Sequence, residues 1–214
     1  MKLAIYGAGG LGREVLELAM QINKLQSRWS SLCFIDDINA NRQLKSHDVL
    51  SLALISPQEY EVVVAVGEPS LRKYLAEKAK DAGFNLATLI HPDAYISSDT
   101  TIGVGSVICY GAFISCDTVI GDNVHLQPNA SLGHDCYIGN HCVISSYANL
   151  AGHCIVGDLT FIGMNAVVRE TSTIGTETII SMGSAVFNDI ASGVIAMGNP
   201  ARAIRKNDEK KVFR

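Results

Sequence analysis

The sequence predicts a short α/β unit followed by a long parallel β-helix, on three observations. Aliphatic residues recur at every sixth position from Ile90 to Val186, with no insertion. A column of small residues, from Ala94 to Ser184, runs two positions ahead of them and is broken only by Val124. The first ninety or so residues carry instead the order strand, glycine loop, helix, strand, acid. A helix repeats at 3.6 residues and a strand at 2.0, so a period of six belongs to neither. It is the signature of coils whose six-residue faces stack along an axis.

Three such faces make a triangular coil of eighteen residues. Large aliphatics fill its interior, and small side chains fit where the chain turns a corner. Stacked coils lie roughly 4.8 Å apart, so each aliphatic sits on its equivalent in the next coil and contributes about 1.5–3 kcal/mol of burial before the entropy of ordering. Glycine directly follows the aliphatic at Gly103, Gly121, Gly133, Gly139, Gly157, Gly163 and Gly175, where a tight corner is expected to demand unusual backbone angles.

The N-terminal unit spans residues 1–89. Residues 2–6 read as a buried strand, residues 7–12 spell G-A-G-G-L-G, residues 13–24 form an amphipathic helix, and residues 32–35 form a second strand ending at Asp36 and Asp37. In that context Gly7, Gly9 and Gly12 match the glycine fingerprint of a Rossmann-like phosphate loop. Helix-terminal N–H groups suit a phosphate, and an acid after the second strand suits a ribose or a base. The alternative is that these glycines only pack helix against strand. A third strand over 61–66 leads into Gly67, and Ser70 is expected to cap a helix running to about Asp81. The unit has no room for a second nucleotide-binding half, which favours a mononucleotide, carrying a sugar, over NAD. Arg13 either caps the phosphate or is a solvated helix residue.

Composition sets further bounds. The chain has 214 residues, 48% of them hydrophobic and 7% aromatic, as slim aliphatics in a narrow prism require. A net charge of -4 argues against nucleic acid as the default partner. No apolar run approaches the roughly 18 residues of a membrane span, so no membrane partner is expected. The N-terminus leads straight into the glycine turn without a secretory pattern, so the cytoplasm is the expected compartment. Of the six cysteines, Cys136, Cys142 and Cys154 fall in the small column. They read as buried structural thiols rather than as a zinc site.

Four of the six histidines lie in the solenoid. Residues eighteen apart share one position on adjacent coils, so Asp135 stacks with His153, and His134 with Gly152. The four should form one polar patch, able to supply a general base, a carboxylate to support it and a backbone N–H for an oxyanion. A surface histidine is more often just solvated.

The hexapeptide repeats, the GAGG opening at residues 7–10, the FIDD segment at 34–37, GHDC at 133–136, LAG at 150–152 and GNPA at 198–201 together resemble one family. It is the sialic-acid O-acetyltransferase and nucleotide-aminosugar N-acetyltransferase family of left-handed β-helix enzymes, and the resemblance covers nearly the whole chain. It implies a homotrimer that binds acetyl-CoA between neighbouring β-helices (residues 90–190 here), with a nucleotide-sugar acceptor held by the N-terminal unit and no metal. His134 would be the catalytic base, Asp135 its acidic neighbour, and Gly152 the residue whose N–H faces the thioester carbonyl. The nucleotide loop would be Gly7, Gly9, Gly10, Leu11, Gly12 and Arg13, with Asp36, Asp37 and Gly67. Coenzyme A would meet Gly152, His153, Gly183 and the Gly198-Asn199-Pro200-Ala201 turn, the last within a closing segment at 191–214.

Arg202 and Arg205, which follow that turn, are the candidates for the coenzyme A phosphates; the alternative is a solvated basic tail. Some aminosugar N-acetyltransferases of the family have histidine where this chain has Leu11, and a second solenoid histidine where it has Val143. The implied reaction is acetyl transfer to the amine of a nucleotide-linked 4-amino-4,6-dideoxyhexose in surface glycan biosynthesis. O-acetylation of a sialic acid or related hydroxyl, and a non-catalytic nucleotide-sensing scaffold, are the alternatives.

Overall fold

The structure is a computed structural model and describes residues 1–213. The N-terminal unit comprises β1 (Lys2–Tyr6), α1 (Gly10–Gln26), β2 (Leu32–Ile35), β3 (Arg42–Leu44), β4 (His47–Leu50), β5 (Tyr60–Val64) and α2 (Pro69–Asp81). Its sheet has the order β3-β4-β2-β1-β5, with β1 parallel to both neighbours. Leu3 and Ile5 of β1 pack against Val15, Leu16, Ala19 and Ile22 of α1, while Ala4 and Tyr6 face Ala79 and Phe84 on the other side. Burial on both faces explains why β1 reads as a continuous apolar run rather than an alternating one.

Three local expectations are corrected. Helix α1 starts at Gly10, inside the glycine motif, because Gly9 adopts the extended N-cap conformation. Helix α2 starts at Pro69 with Glu68 at the N-cap. Proline is pre-set for the first helical position, so Ser70 lies inside the first turn, and its hydroxyl donates to the Lys210 carbonyl at 3.3 Å. Strand β5 ends at Val64 rather than at 66. The β3–β4 hairpin was not anticipated: its turn residues Lys45 and Ser46 have φ of 52° and 62°, the conformation normally announced by Asn-Gly or Asp-Gly.

The remainder is a left-handed parallel β-helix with three faces. The first runs from Leu89–Ile90 through Ile179–Ile180, the second from Tyr95–Ile96 through Ala185–Val186, and the third from Thr101–Ile102 through Thr173–Ile174. The register is eighteen residues throughout, as in the stack Ile120, Ile138, Val156, Ile174. These aliphatics are almost wholly buried. The small column also does polar work. The Thr118 hydroxyl donates to the Gly133 carbonyl at 2.9 Å, the Cys136 thiol to Ala151 at 3.2 Å and the Cys154 thiol to Arg169 at 3.2 Å. Threonine, serine and cysteine interchange there because each is small and each donates to the same carbonyl position.

The corner glycines have a different cause from the one expected. None of the seven has positive φ. Instead, a Cβ on Gly133 would lie 2.6 Å from the Ala151 carbonyl carbon and from the Gly152 nitrogen. Left-handed backbone falls two positions later, at Asp117, Asn123, Asn129, Asp135, His141 and His153, with φ between 53° and 60°. Asparagine and aspartate tolerate that region better than most side chains.

The first face is covered by the chain itself. Leu89 and Val107 are buried with the α1 side of the N-terminal unit. Further along, Val143, Phe161, Ile179 and Ile195 pack with Val212 of the C-terminal tail. Strands Val194–Gly198 and Ala201–Lys206 form a hairpin that extends the first sheet. Arg72 of α2 ties the two parts together. It is fully buried, and its guanidinium donates to the carbonyls of Val64, Val66 and Asn123 and to Asn123 Oδ1, at 2.9–3.2 Å. The second and third faces are bare. Tyr95 stacks on Phe113 with ring centres 4.9 Å apart, and Val167, Val119, Tyr137 and Ile155 are exposed.

Two predictions follow from this packing. A Cβ on Gly139 would lie 2.6 Å from the Asp158 nitrogen and 2.9 Å from the Gly157 carbonyl carbon, so Gly139→Ala is expected to cost about 1–3 kcal/mol in denaturant unfolding; wild-type stability would refute the close-approach account. His125, buried on the first face with no partner for Nδ1 among the described residues, is pushed down to about 3 by desolvation and then by Arg72. The unfolded chain therefore binds this proton more readily. The stability His125 contributes is complete above its unfolded value of about 6.5 and is lost as pH falls toward 3, at up to about 1.4 kcal/mol per pH unit. His125→Leu is expected to flatten that slope between pH 6.5 and 5 in urea melts, and an unaltered slope would contradict it.

Candidate functional site

Four residues expected to meet at one corner do so. This corner joins the second face to the third, where the chain passes from Ser131–Leu132 to Tyr137–Ile138 and, one coil later, from Asn149–Leu150 to Ile155–Val156. His134 Nδ1 lies 2.8 Å from Asp135 Oδ2. Neighbours in sequence reach each other this way because Asp135 has φ of 57°, which turns its carboxylate back toward the preceding side chain. The carboxylate selects the tautomer with hydrogen on Nδ1 and leaves Nε2 as an acceptor. His153 stands above, its ring perpendicular to that of His134 with centres 5.0 Å apart, and its Nε2 is 3.8 Å from the same carboxylate oxygen. The ligand-type atoms of His134, Asp135 and His153 all lie within 4.8 Å of one another on exposed side chains, close enough to hold a metal ion in principle.

Gly152 completes the corner. A Cβ there would lie 2.6 Å from His134 Cε1 and Nε2, so the imidazole occupies the space a side chain would need. The Gly152 N–H has no acceptor among the described residues. At the corner between the third and first faces the equivalent amides are capped by the next coil: Val104 by Asp122, Asp122 by Asn140, and Asn140 by Asp158, at 2.7–3.0 Å. The His134 corner therefore presents a basic nitrogen beside an unpaired backbone donor, the pairing that proton removal and oxyanion stabilisation require.

The expected coenzyme A residues divide. His153 lies on this corner. Gly183 and the Gly198-Asn199-Pro200-Ala201 turn lie instead at the corner between the first and second faces, where the Gly198 N–H donates to Ser184 Oγ at 3.3 Å. Arg202 and Arg205 follow that turn on the exposed hairpin strand.

At the N-terminal unit, the glycines have separate jobs. Gly7 has φ of 126°, and Gly12 leaves no space for a Cβ above the Gly7 carbonyl; Gly9 is open. These are the roles of turn, helix packing and close ligand approach. Gly10, Leu11 and Gly12 form the first turn of α1, and the Arg13 guanidinium folds back to the Gly9 carbonyl at 3.4 Å. A cavity of about 450 Å3 is lined by Gly7, Ala8 and Gly9, Asp36 to Ile38, and α2. Gly67 is not on it: a Cβ there would meet the Phe213 ring at 3.2 Å, so this glycine accommodates the tail.

Both expected acids are already occupied. Asp36 accepts from the Ile38 and Asn39 amides and from Arg42. Asp37 accepts from Ser51 Oγ at 3.0 Å, the Leu52 amide at 2.8 Å, Lys78 Nζ at 2.7 Å and the Tyr6 hydroxyl. Burial works to raise the Asp37 carboxyl, but the bonds from Lys78, Tyr6, Leu52 and Ser51 outweigh it and hold the group well below the usual carboxylate range. The bond to Asp37 raises Lys78, and burial with the Asp37 bond lifts the Tyr6 phenol to about 12. Lys78, Tyr6 and Tyr74 were not among the sequence candidates. The i, i+4 spacing of Tyr74 and Lys78 on one helix face was the only available signal.

Residues 2–79 match the family model described as PglD N-terminal domain, and residues 117–152 match bacterial transferase hexapeptide (six repeats). The acetyltransferase domain of PglB from Neisseria gonorrhoeae FA1090 is similar over 95% of this chain and 99% of that one, with 33% identity and a TM-score of 0.89. It has also been solved in complex with acetyl coenzyme A. PerB from Caulobacter crescentus, in complex with CoA and GDP-perosamine, matches over 95% of this chain and 97% of that one, with 31% identity and a TM-score of 0.87. A GDP-perosamine N-acetyltransferase from Escherichia coli O157:H7 is 30% identical over 108 residues; the match spans 49% of each chain, about half the length of that curated relative.

Gly152→Ala tests the corner. Its Cβ displaces only the exposed imidazole, so the melting temperature should fall by less than about 4 °C. Turnover should fall at least about a hundredfold through misplacement of the ring. Retained turnover would show that the ring position is immaterial.

Proposed function

The chain belongs to the hexapeptide-repeat sugar N-acetyltransferase family, and from that premise we propose that it transfers acetyl from acetyl-CoA to the amino group of a nucleotide-linked 4-amino-4,6-dideoxyhexose in surface glycan biosynthesis. The observation that carries this reading is the His134 corner, with Nδ1 held by Asp135 and the ring seated against Gly152. The amine attacks the thioester carbonyl, forming the C–N bond. His134 Nε2 takes the proton that nitrogen gives up, and Asp135 supports the resulting imidazolium. The Gly152 N–H stabilises the tetrahedral oxyanion. Collapse breaks the C–S bond, and the imidazolium returns the proton to the departing thiolate. The step needs no nucleophile from the chain.

The same reading makes the working enzyme a homotrimer. The catalytic corner and the Gly198–Ala201 turn sit at opposite edges of the second face. That face and the third carry bare Phe113, Val119, Tyr137, Ile155 and Val167, and exposed apolar stripes of this kind mark association surfaces. A cyclic assembly that covers those faces would set a neighbouring chain beside the corner, with acetyl-CoA between the two and the acceptor's nucleotide in the glycine-loop cavity. Among the described residues no helix is long and apolar enough to cross a membrane. The unpaired cysteines suit a reducing compartment, which favours the cytoplasm.

His134→Ala is expected to lower turnover at least about a hundredfold in a free-thiol assay with acetyl-CoA and nucleotide-linked amino sugars. Near wild-type turnover would exclude His134 as the base. Faster transfer to hydroxyl than to amino acceptors would replace N-acetylation by O-acetylation.

A further inference from the structure

We propose that Lys78 is the residue that selects the nucleobase of the acceptor, favouring bases with a carbonyl oxygen at purine C6 or pyrimidine C4 (guanine, uracil, thymine) over those with an amino group there (adenine, cytosine). The proposal rests on the reading of the glycine-loop cavity as the nucleotide's site and adds to it which nucleotides enter.

The charged side chains lining that cavity are Asp36, Asp37 and Lys78. The two carboxylates point their lone pairs at protein donors, as described above, and have little left to offer a ligand. Lys78 differs. Its ammonium has three N–H bonds, of which Asp37 takes one at 2.7 Å. Even with the Tyr6 oxygen as a second acceptor, one N–H remains. The side chain is 38% exposed and lines the cavity, within reach of a ligand bound there. Asp37 thus acts less as a ligand acceptor than as the anchor that fixes the ammonium.

The walls around it suit a flat ring. Tyr74 stands one helical turn before Lys78 on α2 and is 58% exposed; Ile38, on the loop after β2, is 99% exposed. Neither packs into the core, and both line the same cavity, so a planar base held between them would cover apolar surface that is otherwise left in water. The phosphates would lie toward Gly9 and the α1 N-terminus, with the base toward the Lys78 end.

The selection follows from hydrogen-bond chemistry. An ammonium only donates. Guanine offers O6 and N7 along one edge, and uracil or thymine offers O4, all acceptors; cytosine offers an amino donor in the place of O4, and adenine an amino donor beside N7. A base of the second kind would set donor against donor, or pull the ammonium from Asp37.

The test is a calorimetric panel of GDP, UDP, dTDP, ADP and CDP on the full-length protein, repeated with Lys78→Met and Lys78→Arg. For the wild type, at least one of GDP, UDP and dTDP should bind about tenfold or more tighter than both ADP and CDP, within the discrimination such contacts provide. Lys78→Met should bring that ratio to within about twofold, and Lys78→Arg, which keeps the donors, should preserve most of it. The ratio is the readout because a merely structural Lys78 would lower all affinities together and leave it unchanged. Equal wild-type binding of all five, a preference for ADP or CDP, or a ratio that survives Lys78→Met overturns the proposal while leaving the cavity as a nucleotide site. Failure of all five to bind overturns both. Should Lys78→Met not fold, the wild-type ratio and Lys78→Arg still decide.

Discussion

The constraint on which everything else depends is that residue n lies directly against residue n+18. Parallel in-register coils achieve this with backbone bonds from each N–H to the carbonyl seventeen residues later, such as Val119 to Cys136 at 2.9 Å and Tyr137 to Cys154 at 2.9 Å. The spacing is so close that a Cβ cannot be accommodated at Gly133 or Gly139. Because the stack is rigid, a side chain omitted on one coil becomes a place on the coil below. Gly152 and His134 are that case: the ring fills the space the glycine leaves, and the glycine amide, uncapped by any side chain, stands at its edge. The same stacking at the corner between the third and first faces produces a capped ladder of Asp122, Asn140 and Asp158. One architecture thus gives a capped corner or an open one, according to which residues occupy a single column.

The second constraint is the seating of the N-terminal unit on the first face. Arg72 is buried and has no carboxylate partner among the described residues; its donors meet carbonyl oxygens from the end of β5 and from Asn123, while Asn123 Nδ2 returns a bond to the Arg72 carbonyl at 3.1 Å. Burial lowers this guanidinium to about 9, so it remains charged at neutral pH, and its presence disfavours a second positive charge on His125 and His141. Helix α2 carries Arg72 on one side and Tyr74 and Lys78 on another. The bond network that locks the helix to the solenoid therefore also sets where the glycine-loop cavity stands relative to the β-helix. The tail adds a second tie, with the Val212 amide on Glu68 at 2.7 Å and Phe213 against Gly67 and Phe161.

How much of this could be read beforehand depends on the range of the interaction. The solenoid was legible because its period makes distant contacts local arithmetic: eighteen residues is one coil, so the Asp135–His153 and His134–Gly152 neighbours follow from counting. The glycine fingerprint was legible because it states a turn, an open approach and a packing contact in six residues. What was not legible came from contacts without a period. Lys78 meets Asp37 across forty-one residues and Phe213 meets Gly67 across most of the chain, and no sequence pattern couples them. The corner glycines were legible in position but not in cause. Their register was plain, yet only stacked coordinates separate a glycine that needs positive φ from one that faces a neighbouring backbone. The left-handed conformation that does occur, at Asp135 among others, fell two positions away.

The division of labour among the three corners bears on why such a chain would act as an assembly. A single prism can place reactive groups at any corner, but a corner is convex, and a convex edge exposes its ligands to water on both sides. Desolvation, which strengthens the hydrogen bonds a transition state relies on, needs a concave surface. Here His134 and Asp135 are each roughly half exposed, too open to exclude water from the groups they are proposed to act on. The face covered by the N-terminal unit and tail cannot provide the missing wall, because it lies opposite the His134 corner. The two uncovered faces meet at that corner, and both carry apolar side chains in the middle coils, level with His134. A neighbouring prism laid against one of them would turn the convex edge into the wall of a groove without altering any bond within the chain.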